Sequence, residues 1–178
     1  MPRIDGYAII SRNGMIANAD GSFPSALKID ADQRFFRAAV RLADAIAHGR
    51  NSGPDVSPRK RVVLTRRIAS LDDDSAGAGT ILWNPAGAAF ADACERLQVG
   101  PAHAMAVLGG TDVFGLFLGI GYDTFFLSCT TVDLPEGRPV FPGPGQPQEV
   151  LSRHGLALHA RQPLDSDGQV VLETWRRA

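Results

Sequence analysis

The chain has 178 residues, of which 44% are hydrophobic and 21% are charged. This composition is typical of a soluble globular protein, and the length predicts that residues 1–178 fold as a single domain. The formal net charge of -1 gives no overall basic field that would recruit nucleic acid or anionic lipid. No signal-peptide pattern opens the chain, and no apolar run approaches the ~20 residues needed to cross a bilayer. We therefore expect a cytoplasmic protein.

Cysteine and histidine residues are few and scattered. Cys94 and Cys129 form no CxxC pair and no metal-spaced set. The four histidines also lack ligand spacing; they are His48, His103, His154 and His159. The sequence therefore predicts neither a disulfide framework nor a metal site.

Short apolar runs alternate with segments of helical periodicity. Strands are predicted at residues 6–10, 45–48, 61–65, 80–83, 104–108 and 123–131, and helices at 30–42, 86–97 and 111–118. Residues 51–59 and 141–148 are predicted to be connections. Asn13-Gly14 is predicted to form the turn that ends the first strand, which should lie centrally in the sheet. This order predicts an α/β fold with a doubly wound, mainly parallel sheet. Residues 154–161 and 169–175 predict a C-terminal antiparallel hairpin that adds edge strands.

The predicted strand at residues 104–108 runs through two glycines into a helix, as Leu108-Gly109-Gly110-Thr111-Asp112-Val113. Such a turn lets a diphosphate approach the backbone and the N–H groups at a helix N-terminus, although a Gly-Gly pair also serves as a plain tight turn. Two further strands end in hydroxyl and arginine side chains, as Gly49-Arg50-Asn51-Ser52 and Leu64-Thr65-Arg66-Arg67. Arginine beside hydroxyls suits a phosphate, and a 2′-phosphate distinguishes NADP from NAD. The alternative is that these arginines are solvated surface residues.

Asp32 lies on an apolar helix face, since Asp32, Phe35, Phe36 and Ala39 follow i, i+3, i+4, i+7 spacing. A carboxylate that faces a core needs a partner, and a ligand with N–H donors would supply one. The alternative is a helix N-terminal charge that the macrodipole favours. The sequence leaves both interpretations open.

Taken together, these motifs resemble the dihydrofolate reductase superfamily in order and spacing along nearly the whole chain. Ile10-Ser-Arg-Asn-Gly-Met-Ile-Ala17 is similar to the first strand and the mobile loop over the nicotinamide. Gly109-Gly110-Thr111-Asp112-Val113-Phe114 is similar to the diphosphate turn, the most specific of the motifs. The resemblance implies the dihydrofolate reductase-like fold, NADPH as cofactor, and hydride transfer from C4 of NADPH to C6 of a dihydropterin whose N5 is protonated.

The resemblance also implies roles for individual residues. Asp32 is the acidic residue that hydrogen-bonds the pterin 2-amino and N3 groups, with Ser128 as its hydroxyl partner. Burial is expected to raise the pKa of the Asp32 carboxyl. The other implied substrate-binding residues are Tyr7, Phe36, Arg59 and Leu108, where Tyr7 and Leu108 act through backbone carbonyls. Arg59 is equally consistent with a generic basic loop. The implied cofactor-binding residues are Ile9, Ile16, Gly49, Arg50, Asn51, Ser52, Leu64, Thr65, Arg66, Gly109, Gly110, Thr111, Asp112, Val113 and Phe114.

The sequence departs from the family pattern at three places. Pro24 is followed by Ser25 where the family has Trp, and the acidic Gly-Asp turn is replaced by Gly137-Arg138. The stretch between Arg50 and Arg59 is also short. The missing Trp and the short stretch fit a smaller substrate, such as the ribosylamino-pyrimidinone phosphate of riboflavin synthesis, whose reductase shares the fold, while the changed turn implies different dynamics of the mobile loop.

We favour dihydrofolate as the substrate because Asp32 and Arg59 fit folate. The alternatives are the riboflavin-pathway pyrimidine and a non-catalytic NADPH-binding relative. A nucleic-acid binder has little support, since the basic clusters lack an aromatic platform. The expected partner is therefore a small molecule, a pterin or a pyrimidine, with no nucleic acid and no membrane, and the chain is expected to be a monomer or a homodimer.

Overall fold

The computed structural model describes residues 1–50, 60–74, 77 and 79–178. The strands are β1 (Arg3–Ile10), β2 (Met15–Asn18), β3 (Ala45–Gly49), β4 (Arg61–Leu64), β5 (Leu71–Asp73), β6 (Thr80–Trp83), β7 (Ala104–Val107), β8 (Thr124–Thr130), β9 (Gly137–Pro139), β10 (Leu156–Pro163) and β11 (Val170–Arg177). The helices are α1 (Asp30–Leu42), α2 (Phe90–Arg96), α3 (Thr111–Ile120) and α4 (Pro147–Arg153), and a short 3₁₀ helix spans Ser25–Leu27.

Nine of the strands form one sheet in the order β10-β11-β8-β1-β7-β3-β4-β6-β5. The six central strands, from β8 to β6, pair in parallel. Antiparallel pairs occur at the two sides, where β11 joins β8 and β5 joins β6. The predicted mainly parallel α/β fold with a C-terminal antiparallel hairpin is confirmed, and β1 lies inside the sheet as predicted.

The two faces of the sheet are covered by different helices. On β3, Ala45 and Ala47 belong to the larger core cluster, which includes side chains of α2, α3 and α4. Ile46 points to the opposite face, where it packs in a smaller cluster with Val40 of α1. Because successive side chains of a strand alternate between faces, α1 lies on the side of the sheet opposite the other three described helices. This arrangement leaves room beside α1 for a cleft.

Some predicted elements have different bounds. The helix predicted at residues 86–97 begins only at Phe90, because the Asn84 side chain and carbonyl accept hydrogen bonds from Ala86 and Gly87 and close a turn. The predicted connection at residues 141–148 ends inside α4, whose first turn starts at Pro147. Strands β2, β5 and β9 were not predicted. The connection predicted at residues 51–59 lies outside the described residues.

No helix in the described residues combines the length and the apolar character that a membrane span requires.

Candidate functional site

A cleft of about 1590 Å3 opens at the carboxyl ends of the central parallel strands. Its walls include Ile9 at the end of β1, Gly49 at the end of β3 and Leu64 at the end of β4. Leu108, directly after β7, also lines it. Ligands of open α/β sheets bind at this edge, so the cleft is the candidate functional site.

Asp32 lies in the first turn of α1 and lines the cleft with only 8% of its surface exposed. Burial raises the pKa of the carboxyl group, because a desolvated carboxylate is costly. A hydrogen bond from the Ser128 hydroxyl on β8 acts in the opposite direction and is the smaller effect. The carboxyl group is therefore held beside a single protein donor, with acceptor capacity left for a ligand. The structure thus joins Asp32 and Ser128, which lie 96 positions apart in the chain.

Removing the Ser128 hydroxyl is expected to raise the pKa of Asp32 further, because the ionised carboxylate loses its hydrogen bond. A 13C-detected titration of the Asp32 carboxyl carbon in Ser128→Ala checks this. Ser128→Thr keeps the hydroxyl and serves as the matched control, with a midpoint close to that of the wild type. An unchanged midpoint in Ser128→Ala would show that the hydroxyl does not act on Asp32.

Four aromatic rings line the cleft next to Asp32. Tyr7 on β1 stacks on Phe126 of β8, with ring centroids 4.9 Å apart and planes 14° from parallel. Phe35 packs edge-on against Phe126 at 5.6 Å, and Phe36 packs edge-on against Tyr7 at 6.5 Å. Burial raises the pKa of the Tyr7 phenol to about 12, so the ring stays neutral at physiological pH. These apolar faces suit a flat heteroaromatic ring.

The predicted phosphate turn lies at the other end of the cleft. Gly109 has φ +88° and its carbonyl accepts a hydrogen bond from the Gly49 backbone N–H at 3.0 Å, which brings the ends of β3 and β7 together. Gly110 precedes α3, and no side chain caps that helix. The Thr111 hydroxyl donates to the Pro139 carbonyl at 2.5 Å and therefore does not cap the helix. An uncapped helix N-terminus beside glycine is a favourable anion site.

Basic and hydroxyl side chains flank this turn. Arg50, Thr65, Arg66 and Arg67 line the cleft, and the Thr65 hydroxyl accepts a hydrogen bond from the Arg67 backbone N–H at 3.2 Å. Arg66 lies 3.6 Å from Asp112 in an ion pair whose side chains are 89% and 83% exposed. An exposed pair of this kind contributes little to stability, so Arg66 can be recruited by a phosphate. The described residues contain no cluster of three metal-ligating side chains.

No protein-family model matches the chain, and no curated protein matches it. Solved structures do. A Thermotoga maritima diaminohydroxyphosphoribosylaminopyrimidine deaminase/5-amino-6-(5-phosphoribosylamino)uracil reductase superposes with a TM-score of 0.70 at 16% identity, covering 99% of this chain and 57% of that chain. A protein described as a riboflavin biosynthesis protein, from Shewanella sp. PV-4, gives 0.66 at 15% identity, with 99% of both chains covered.

The dihydrofolate reductase of Enterococcus faecalis, complexed with NADP(H) and RAB-propyl, gives a TM-score of 0.67 at 15% identity and covers 98% of this chain and 96% of that chain. The chain has the dihydrofolate reductase-like fold. The present chain spans 57% of the length of the Thermotoga protein but nearly all of the other two.

Within this dihydrofolate reductase-like fold, most residues predicted for the site line one cleft. Those that do are Tyr7, Ile9, Ile16, Asp32, Phe36, Gly49, Arg50, Leu64, Thr65, Arg66, Leu108, Gly110, Thr111, Asp112, Val113, Phe114 and Ser128. Gly109 is buried beside it. Asn51, Ser52 and Arg59 lie outside the described residues. The binding roles of all these site residues stay predictions. The structure adds that most of them line one cleft.

The cleft also contains residues that the sequence did not single out as binding residues. Phe35 and Phe126 complete the aromatic wall, and Arg37 and Gln33 line the cleft along α1. Phe126 could have been found from strand alternation, since it shares a face with Ser128 two residues later. Phe35 was visible only as part of the apolar helix face. Nothing in the local sequence distinguishes Arg37 from the other arginines of α1.

A small second sheet borders the cleft. Strand β2 pairs with β9, and the Arg138 side chain donates to the Ala19 carbonyl at 3.1 Å. The acidic residue of the family turn is therefore replaced by a cation that contacts the loop backbone. Phe23, half exposed, lines the cleft just before Pro24, whereas Ser25 is not part of its wall. The aromatic side chain near this proline thus precedes it rather than follows it.

Proposed function

We propose that the chain is an NADPH-dependent reductase and that its substrate is 7,8-dihydrofolate. The observation that carries the proposal is the buried Asp32 carboxyl group, held by Ser128 inside an aromatic wall, at one end of a cleft whose other end carries an uncapped helix N-terminus and arginines. A ring with N–H donors fits the first end, and a dinucleotide diphosphate fits the second.

The donor set at the second end fits NADPH. Gly110 and the N–H groups in the first turn of α3 would hold the diphosphate, while Arg50, Arg66 and Thr65 would hold the 2′-phosphate. The apolar side chains between the two ends would flank the nicotinamide; they are Ile9, Ile16 and Phe114. The nicotinamide would supply a hydride from its C4 atom.

At the substrate end, Asp32 accepts N–H bonds from the 2-amino and N3 groups of the ring and fixes its orientation. Burial raises its pKa, the direction that favours a protonated carboxyl group and so supports protonation of N5. Tyr7 and Phe36 exclude water from the ring faces. The backbone carbonyls of Tyr7 and Leu108 would be further acceptors, since both residues line the cleft.

A second candidate substrate is the ribosylamino-pyrimidinone phosphate of riboflavin synthesis. Two of the three similar structures are described as riboflavin-pathway proteins, and the segment between Arg50 and Arg59 is short. The same Asp32 edge would bind the pyrimidine. A third candidate, an NADPH-binding relative without turnover, is motivated by Ser25 in place of the family Trp.

The proposal is tested by following NADPH absorbance with each acceptor in turn, together with direct NADPH binding. Turnover of dihydrofolate supports the main proposal. Turnover of the pyrimidine alone replaces it with the second candidate, and NADPH binding without turnover of either acceptor supports the third. A protein that binds no NADPH would contradict all three.

A further inference from the structure

A buried histidine precedes the glycine that ends β3. His48 is the fourth residue of this strand, and only 4% of its surface is exposed. Because Ile46 packs in the smaller cluster and side chains alternate along a strand, His48 points to the face of the sheet that α1 covers. The described residues that line the cleft do not include His48. The proposed function therefore leaves this titratable side chain without a role.

The His48 ring is tied to the backbone of the next residue. Its Nδ1 atom lies 2.8 Å from the Gly49 carbonyl oxygen. Because a carbonyl oxygen only accepts hydrogen bonds, Nδ1 carries a proton. The Nε2 atom is buried and has no partner among the described residues. Burial lowers the pKa of the imidazole, and Arg61 on β4 lowers it as well, which favours a neutral ring with its proton on Nδ1.

Gly49 is held by hydrogen bonds on both of its backbone groups. Its N–H donates to the Gly109 carbonyl at 3.0 Å, and its own carbonyl accepts from His48. Glycine has more conformational freedom than any other residue, and these two bonds restrict it where β3 ends and the chain continues to Arg50. Gly49, Arg50 and Gly110 all line the cleft. The His48 ring thus acts on the segment that joins the phosphate turn to the arginine beside it.

The alternative is that His48 only fills space in the core. An apolar side chain would fill that space without burying a nitrogen atom that lacks a partner, which costs free energy. The residue beside it on β4 is Val63, a buried apolar side chain. What the imidazole adds to a side chain of that kind is the Nδ1–H donor.

We propose that His48 is a positioning residue for the cofactor, whose Nδ1–H group holds the Gly49 carbonyl and so fixes the Gly49 N–H that anchors the phosphate turn at Gly109. This inference rests on the proposed function, since it needs NADPH to bind at that turn. His48 acts through Gly49 and contacts no ligand itself. Its effect is on the affinity for NADPH.

The test compares three substitutions of His48 by fluorescence titration with NADPH. His48→Leu removes the donor and is expected to raise the Kd for NADPH about 5-fold to 50-fold, because the Gly49 carbonyl loses its hydrogen bond and Gly49 regains freedom. His48→Asn keeps an N–H donor at the place of Nδ1 and should stay within about threefold of wild type. His48→Gln carries its amide one bond further out and should resemble the leucine variant.

A second histidine provides the matched control. His103 lies just before β7, and its Nδ1 atom accepts a hydrogen bond from the Gly100 N–H at 3.1 Å. His103→Leu therefore removes a bond between a ring and the backbone that does not involve the phosphate turn, and the Kd for NADPH should not change. The ring 15N spectrum of wild-type His48 gives a direct readout, since it should show a proton on Nδ1.

The outcomes separate this inference from the proposed function. The inference is overturned, and the proposed function stands, if His48→Leu binds NADPH as tightly as wild type, if His48→Asn loses as much affinity as His48→Gln, or if the ring carries its proton on Nε2 alone. Should the leucine variant fail to fold, the asparagine and glutamine pair decides. A wild-type protein that binds no NADPH contradicts the proposed function, and the inference fails with it.

Discussion

Asp32→Asn is expected to lower kcat/KM for dihydrofolate about 100-fold to 10,000-fold, while the Kd for NADPH stays unchanged. The reason is that an amide cannot give up and take back a proton beside the ring as the buried carboxyl group can, and its nitrogen is a donor where the carboxyl group offers acceptor oxygens to the ring N–H groups. Asp32 is not among the residues proposed to hold NADPH, so cofactor binding is not expected to change. Steady-state NADPH oxidation and fluorescence titration with NADPH measure the two quantities.

The pH dependence distinguishes this role from a packing defect. Because the pKa of Asp32 is raised, the protonated form persists toward neutral pH, and wild-type kcat/KM should fall as the pH rises through that pKa. The Asn variant should lose this inflection.

The raised pKa of Asp32 also affects the stability of the fold, and its effect is opposite to the stabilising effect of an acid held in a salt bridge. A carboxyl group whose folded pKa exceeds its unfolded value destabilises the fold once the pH exceeds both, so Asp32→Asn should be at least as stable as wild type at neutral pH.

Asp30→Asn is the matched control, since Asp30 is an exposed acid in the same helical turn. It should retain wild-type kcat/KM. An equal loss of kcat/KM in Asp30→Asn and Asp32→Asn would mean that both acids act through their charge at the helix N-terminus, and that Asp32 makes no contact with a ligand.

Gly109→Ala is expected to lower the free energy of unfolding by roughly 2–5 kcal/mol and to abolish measurable NADPH binding. Gly109 has φ +88°, a region that side chains disfavour, and an added Cβ would lie 2.5 Å from the Phe114 ring. Phe114 is buried in the core and cannot yield without displacing the first turn of α3. Chemical denaturation and NADPH titration measure the effect.

Gly119→Ala, in the adjoining helix α3, provides the comparison. An added Cβ there meets no atom within 4 Å, and alanine is the better helix former. Its free energy of unfolding should be unchanged or higher by up to about 1 kcal/mol. If Gly109→Ala is as stable as Gly119→Ala and still binds NADPH, the geometry of the phosphate turn has been misassigned.

The fold was largely predictable because its strands and helices carry strong periodicity. The bounds of α1 and β6 agree with the sequence prediction, and the other central strands differ by at most a few residues. The strands that the sequence did not predict are β2, β5 and β9. Each has three or four residues, which is too few to show an alternation of apolar and polar side chains. Strands β2 and β9 also pair with each other across a long stretch of chain, whereas β5 pairs with the neighbouring β6.

The site was predictable where a single residue broke a local pattern. Asp32 stood out because a carboxylate occupied an apolar helix face, and Gly109-Gly110 because two glycines joined a strand to a helix. Arg37 could not be chosen from the sequence, since it is one of several similar arginines on α1, and only the packing of α1 against the sheet places it in the cleft.

The central claim is that this cleft transfers a hydride from NADPH to a pterin ring, and isotope transfer tests it most directly. The protein is mixed anaerobically with dihydrofolate and NADPH stereospecifically deuterated at C4, and the product is analysed by mass spectrometry. We predict tetrahydrofolate that carries one deuterium, formed by wild type and strongly reduced in Asp32→Asn. Recovery of unlabelled dihydrofolate, with the deuterium still on the nicotinamide, would contradict the account.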